Sequence, residues 1–273
     1  MYPEIMHMQP AELMYKGRHF TIDYSCRRGR KETVLYLHGL GCSKNDFREA
    51  FHRPELEAYT LLAFDFPGCG HSPYPENAAL GIDDLVEITH LVLAALKIKK
   101  AVLIGHSMGG LVGLLFVERY SAMVSGFINI EGNLAPEDCF FSRAVAQSDY
   151  QQFATTSFPA LKRRLAEESQ IGLRIYAKTL EKASARAYFE LAPSLVEYSD
   201  QGNLVHRYTA LSIPTLFMYG SANQQLSYLP QLKESDCEVA EIPQSGHFPF
   251  HDNPPAFYRA VAAFLQDHCL PRT

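Results

Sequence analysis

Residues 105–110 read "GHSMGG", directly after the apolar run "AVLI" (101–104) and at the head of the helical pattern "MGGLVGLLFVERY". A lone serine between glycines at a strand-to-helix junction is held clear of a sheet edge, because glycine tolerates the backbone crowding of so sharp a turn. The bare pattern G-x-S-x-G says little. Its flanking strand and helix give it weight against the plainer reading, a glycine-rich turn with an incidental serine.

Working outward, further apolar runs end in turn residues: "TVLYLHG" (33–39), "YTLLAFDFPG" (59–68), "VSGFINIEGN" (124–133), "IPTLFMYGS" (213–221) and "CEVAEIP" (237–243). Each predicts a strand, and most are too continuously apolar for a sheet with one wet face. Between them, "GIDDLVEITHLVLAALKI" places Leu85, Ile88, Leu91, Val92, Ala95 and Leu96 on one helical face, with Asp83 and Asp84 in the first turn. Strands alternating with helices imply an α/β fold, a mostly parallel central sheet with helices on both faces. Ligands of such sheets gather at the carboxyl ends of the strands. Residues 134–211 break the rhythm, being rich in helix formers and lacking a strand-like run. They read as an inserted helical cap on a core formed by 1–133 and 212–273.

With 273 residues, 47% of them hydrophobic, the chain can bury a large core. A net charge of −5 and the absence of a basic stripe speak against nucleic acid. The longest apolar stretches fall far below the ~20 residues that span a bilayer, and "MYPEIMHMQP" lacks the basic head and apolar middle of a signal peptide. A soluble, cytoplasmic protein is expected, with no membrane partner. Six cysteines without CxxC spacing (Cys26, Cys42, Cys69, Cys139, Cys237, Cys269) suggest reduced thiols rather than disulfides or zinc.

A serine hydroxyl attacks only if a base takes its proton, an acid orients that base, and donors receive the oxyanion. Ser107 is the candidate nucleophile. By position, the N–H groups of Leu40, in "LHGLGCSKNDF" (37–47), and of Met108 are the natural oxyanion donors. Asp65 in "DFPGCGHS" (65–72) reads as a loop-fixing residue.

Taken in order, "LHGLG", "DFPGCGHS", "GHSMGG" and "SGHFPFHDNP" resemble the α/β-hydrolase fold superfamily, in particular its cap-bearing serine hydrolases of esterase and lipase type. The resemblance covers nearly the whole chain and implies His247 as the base. Many relatives carry an aspartate just past the penultimate strand, where "MYGSANQQ" has Asn223. Some members of the family instead take the acid from the end of an earlier central strand, and "GFINIEGNL" offers Glu131 there. A carboxylate ending an apolar strand needs a partner, and an imidazole would provide one. The order Ser107, Glu131, His247 also fits the Ser, acid, His sequence of the family. The other reading of Glu131 is a strand cap. His251 as a co-ligand of His247 for a metal is disfavoured by Pro249 between them; no metal and no cofactor is expected.

The implied activity is hydrolysis of a carboxylic ester, thioester or lactone with a small to medium apolar acyl group. The implied partner is that small molecule; a homodimer stays open. A carbon–carbon bond hydrolase is the runner-up, and a non-catalytic ligand-binding member of the fold is the reading from another class. Aromatic residues of 134–211, among them Phe140, Phe141, Phe153, Tyr176 and Tyr188, serve packing or a substrate cleft.

Overall fold

The computed structural model describes residues 6, 7 and 9–268; Cys269 and most of the N-terminal decapeptide lie outside them. Among the described residues there are ten strands: β1 (Met6–His7), β2 (Ala11–Tyr15), β3 (Arg18–Ile22), β4 (Tyr24–Arg27), β5 (Lys31–Leu37), β6 (Tyr59–Phe64), β7 (Ala101–His106), β8 (Val124–Ile130), β9 (Thr215–Gly220) and β10 (Glu238–Ile242). Eight of them form one sheet in the order β1-β4-β6-β5-β7-β8-β9-β10. From β6 to β10 every pairing is parallel, while β4 and β1 extend the edge antiparallel. All six strands expected from the apolar runs are found. β2 and β3 make a separate hairpin, closed by Lys16 and Gly17 at positive φ (48° and 71°), the geometry of a tight two-residue turn.

The helices are α1 (Ile82–Ala95), α2 (Met108–Arg119), α3 (Arg143–Ala146), α4 (Tyr150–Gln152), α5 (Phe158–Ala166), α6 (Ile171–Thr179), α7 (Ala185–Asp200), α8 (Leu204–Thr209), α9 (Leu229–Lys233), α10 (Pro249–Asp252) and α11 (Pro254–His268). Helices α3 to α8 follow one another between β8 and β9 without an intervening strand. Strands β6 and β7 are buried along their whole length, as expected for central strands covered on both faces. Among the described residues no helix is long and apolar enough to cross a membrane.

The chain order reverses at β5, which has β6 on one side and β7 on the other. Such a switch opens a crevice at the carboxyl ends of β5 and β7, where Leu40 and Ser107 lie. Helix α2 starts hard against this edge. A Cβ on Gly109 would lie 2.2 Å from the Leu37 carbonyl oxygen, and one on Gly105 would lie 2.3 Å from that of Gly109. Only glycine lets the two backbones approach so closely.

Gly109→Ala should therefore cost about 2 kcal/mol or more through overpacking. Urea denaturation would show it as a lower midpoint, and an unchanged midpoint would contradict this account of the crossing.

Candidate active site

Ser107 occupies the single residue between β7 and α2, with φ 53° and ψ −122°. A non-glycine residue pays for positive φ, and such strain persists only where the surroundings fix it. Here the backbone is fixed on both sides. Its N–H donates to the Ile130 carbonyl (3.0 Å), continuing the β7–β8 ladder, and its carbonyl accepts from Gly110 (2.8 Å).

One residue beyond the paired end of β8, Glu131 also has positive φ (41°). Its N–H donates to the Met218 carbonyl of β9 (3.0 Å), and its side chain is buried. His247, from the loop after β10, donates Nδ1–H to Glu131 Oε2 at 2.8 Å. Asn223 Nδ2 donates to both carboxylate oxygens (2.9 and 2.8 Å), and the Gly220 N–H donates to Oε1 (2.8 Å). Asn223 thus contacts the acid rather than the imidazole. Sequence reasoning noticed this residue as a missing aspartate and missed its role as the clamp on Glu131.

Ser107 and His247 line one pocket with Gly39, Leu40, His106 and Tyr176. The donor expected at Leu40 is oriented through its peptide group. The Gly39 carbonyl accepts from Cys42 N–H (3.1 Å) and His38 Nδ1–H (2.8 Å). Because the peptide is planar and trans, the Leu40 N–H faces the opposite way. His38 Nε2 accepts from the Phe66 N–H (2.9 Å), which assigns the ring proton to Nδ1. Burial lowers the His38 pKa, keeping this brace neutral. Met108, the other expected donor, is the first residue of α2, so its N–H has no partner one turn back in the helix.

Residues 34–261 match the family model described as "Alpha/beta hydrolase family". The chain belongs to the alpha/beta hydrolase family. It is 26% identical over 253 residues to a Mycoplasma pneumoniae protein that carries an esterase/lipase name, covering 87% of this chain and 90% of that one. It is 27% identical over 269 residues to the sn-1-specific diacylglycerol lipase ABHD11 of Danio rerio, covering 90% and 82%. A thermophilic esterase from Thermogutta terrifontis superposes with a TM-score of 0.78 at 19% identity, over 97% of this chain and all of that one.

Other polar groups of this hydrolase-family chain brace the site. His106 is buried, and burial, then the neighbouring His247, push its pKa well below the usual imidazole range. It therefore stays neutral, and its Nε2–H donates to the His247 carbonyl (2.9 Å). His251 does not share a helix with His247, which precedes α10; its Nε2 meets Asp46 at 3.1 Å instead. Asp65 accepts from the backbone N–H groups of Lys44 (2.7 Å) and His71 (2.9 Å), tying two loops together. Asp23, Asp65 and His71 bring ligand-type atoms within 4.8 Å of one another, yet the Lys44 ammonium lies 2.6 Å from Asp23 and 2.8 Å from Asp65. The lysine supplies the cation that cluster needs.

Two clefts adjoin the site. One of about 440 Å³ reaches Glu131 and His247 between Phe140, Phe141, Leu165, Leu173 and Leu226. The other, about 370 Å³, runs between Phe153, Leu161 and Val145 and shares Phe140, Phe141 and Arg164 with the first. Phe140 is 55% exposed, and its ring stands edge-on to His247 at 4.8 Å between centroids. Phe153, Tyr176 and Tyr188 are buried. Asp138, which the sequence did not single out, borders the 440 Å³ cleft; burial pushes its carboxyl up to about 6, against hydrogen bonds from the Leu134 and Ala135 N–H groups.

Asn223→Ala removes two hydrogen bonds to a buried carboxylate, and bonds to charged groups are worth ~1.5–3 kcal/mol. The variant should unfold at a urea midpoint lowered by about 2 kcal/mol in stability. An unaltered midpoint would mean that Glu131 is held without it.

Proposed function

We propose that this chain is a serine hydrolase that cleaves a carboxylic ester through an acyl-enzyme on Ser107. The observation that carries the proposal is the 2.8 Å contact between His247 Nδ1 and the buried Glu131 carboxylate. With Nδ1–H committed to Glu131, Nε2 is the free, basic nitrogen, and His247 shares the pocket with Ser107. His247 then takes the Ser107 proton as the oxygen attacks the ester carbonyl. The Leu40 and Met108 N–H groups receive the negative charge of the tetrahedral intermediate. His247, now an imidazolium stabilised by Glu131, protonates the departing alcohol, and water releases the acyl group by the same route.

The esterase and lipase names of the relatives support an ester as substrate. The aromatic and aliphatic walls of the two clefts support a small to medium apolar acyl group. In this reading residues 134–211 are a helical cap over the core formed by 1–133 and 212–273. The five described cysteines are buried free thiols, which suits a reducing cytoplasm. The partner is the small molecule itself.

A fluorophosphonate probe should label Ser107, and Ser107→Ala should lose both labelling and hydrolysis of p-nitrophenyl butyrate. Labelling that survives in that variant would remove the nucleophile from the proposal. Glu131→Gln should lower kcat by about 10⁴-fold, because an amide at that position favours the wrong imidazole tautomer. Near-normal turnover in that variant would strike out the acid.

A further inference from the structure

The oxyanion loop is gripped from two directions, and one grip belongs to the helical segment between β8 and β9. Leu40 lies between two peptide groups. The first, Gly39–Leu40, is held from the core side by His38 and the Cys42 N–H. The second, Leu40–Gly41, is held by Tyr176 of α6, whose hydroxyl donates to the Leu40 carbonyl at 2.8 Å. The Tyr188 hydroxyl of α7 lies 3.2 Å from that of Tyr176. Since Tyr176 spends its one proton on Leu40, Tyr188 is the donor in that pair. Both rings are buried. Burial also pushes the Tyr176 pKa far up, so the phenol keeps its proton.

The same helices close over the next residue. Gly41 has φ 69°, and a Cβ there would lie 2.5 Å from Leu180 Cδ2 and 2.8 Å from the Tyr188 ring. The backbone at Gly41 is therefore pressed against the helical segment, with no room for a side chain there.

We propose that Tyr176 is a positioning residue for the oxyanion hole, and that Tyr188 orients it, so that the hole is fully set only when the helical segment is seated on the core. This rests on the serine hydrolase reading above. The physical reason is that an oxyanion donor works by being aimed before the charge develops, at no cost of reorganisation during reaction. Fixing the carbonyl one peptide further along limits the torsions of Leu40 that would swing its N–H away.

The test uses the full chain with Tyr176→Phe, which keeps the ring and deletes the hydroxyl. Losing a whole oxyanion donor costs about 10²–10³ in kcat. Loosening one without deleting it should cost less, about tenfold, with KM within about twofold of the parent. Inhibition by an aryl trifluoromethyl ketone, whose serine adduct bears an oxyanion, should weaken by a similar factor. Tyr188→Phe removes only the second link and should lower kcat about threefold in the same manner; it also serves should Tyr176→Phe fail to fold. A role confined to packing would instead move KM and the unfolding temperature while leaving the ratio of ketone affinity to substrate affinity unchanged. That pattern, or an unaltered kcat in both variants, overturns the proposal. A parent chain that neither reacts with fluorophosphonate nor turns over esters overturns the hydrolase reading and this one with it. Normal labelling with unaltered variant kinetics removes only the role of the tyrosines.

Discussion

A buried carboxylate is the constraint on which the rest of this site depends. Glu131 is 4% exposed, and an ionised carboxyl in such a place is costly unless nearly every lone pair is met by a donor. Four hydrogen bonds meet it: one from Gly220 N–H, two from Asn223 and one from His247. Those donors come from the end of β9, from the turn after it and from the loop after β10. Satisfying that carboxylate thus ties the end of β8 to two further pieces of chain at the sheet edge, the end of β9 with its turn and the loop after β10. The asparagine follows from the same logic. A carboxylate at position 223 would face Glu131 at hydrogen-bond distance, and two such charges cannot both stay ionised. An amide presents donors instead. Asn223 and Glu131 are therefore two halves of one arrangement, a carboxylate just past β8 and an amide just past β9 that clamps it.

The backbone is strained where that arrangement and the serine turn meet. Ser107 and Glu131 both adopt positive φ at the ends of adjacent parallel strands. Each is over-determined by ladder bonds that continue past the strand, Ser107 to Ile130 and Glu131 to Met218. The close approach of α2 to β5 at Gly109 and to β7 at Gly105 supplies the rigid wall against which the serine turn is held. Strain of this kind has no local remedy in the sequence. It is offset by the packing of a sheet whose central strands are buried on both faces.

What could be read from residues alone follows from this division of labour. Continuous apolar runs such as "YTLLAF" and "AVLIGH" announce strands that are covered on both sides, so the parallel half of the sheet was legible. The N-terminal strands were not. β2 and β3 have only five residues each, β3 opens with two exposed residues, Arg18 and His19, and their two-residue turn is Lys-Gly rather than Asn-Gly. Strand β4, "YSCR", is short and carries a buried arginine whose guanidinium donates to the Phe51 and Leu56 carbonyls. No hydrophobic period reveals such a segment. At the site, Ser107, His247 and Glu131 could be proposed because each directly follows a strand or sits in a loop beside one. The parts played by Asn223 and Tyr176 depend on hydrogen bonds across 92 and 136 positions, and nothing in local composition signals them.

His38, His106 and His247 lie at this end of the sheet, and the surroundings give them different work. His38 and His106 are buried, and burial disfavours their charged forms. A neutral ring has one donor and one acceptor, so its hydrogen bonds define its tautomer. His38 uses both nitrogens to lock the loop that carries Leu40. His106 uses Nε2–H to hold the backbone of the very residue beside it in space, His247, with ring centroids 4.7 Å apart. Of the three, only His247 rests against a carboxylate. The two buried, neutral rings therefore serve as the frame that keeps the third in position.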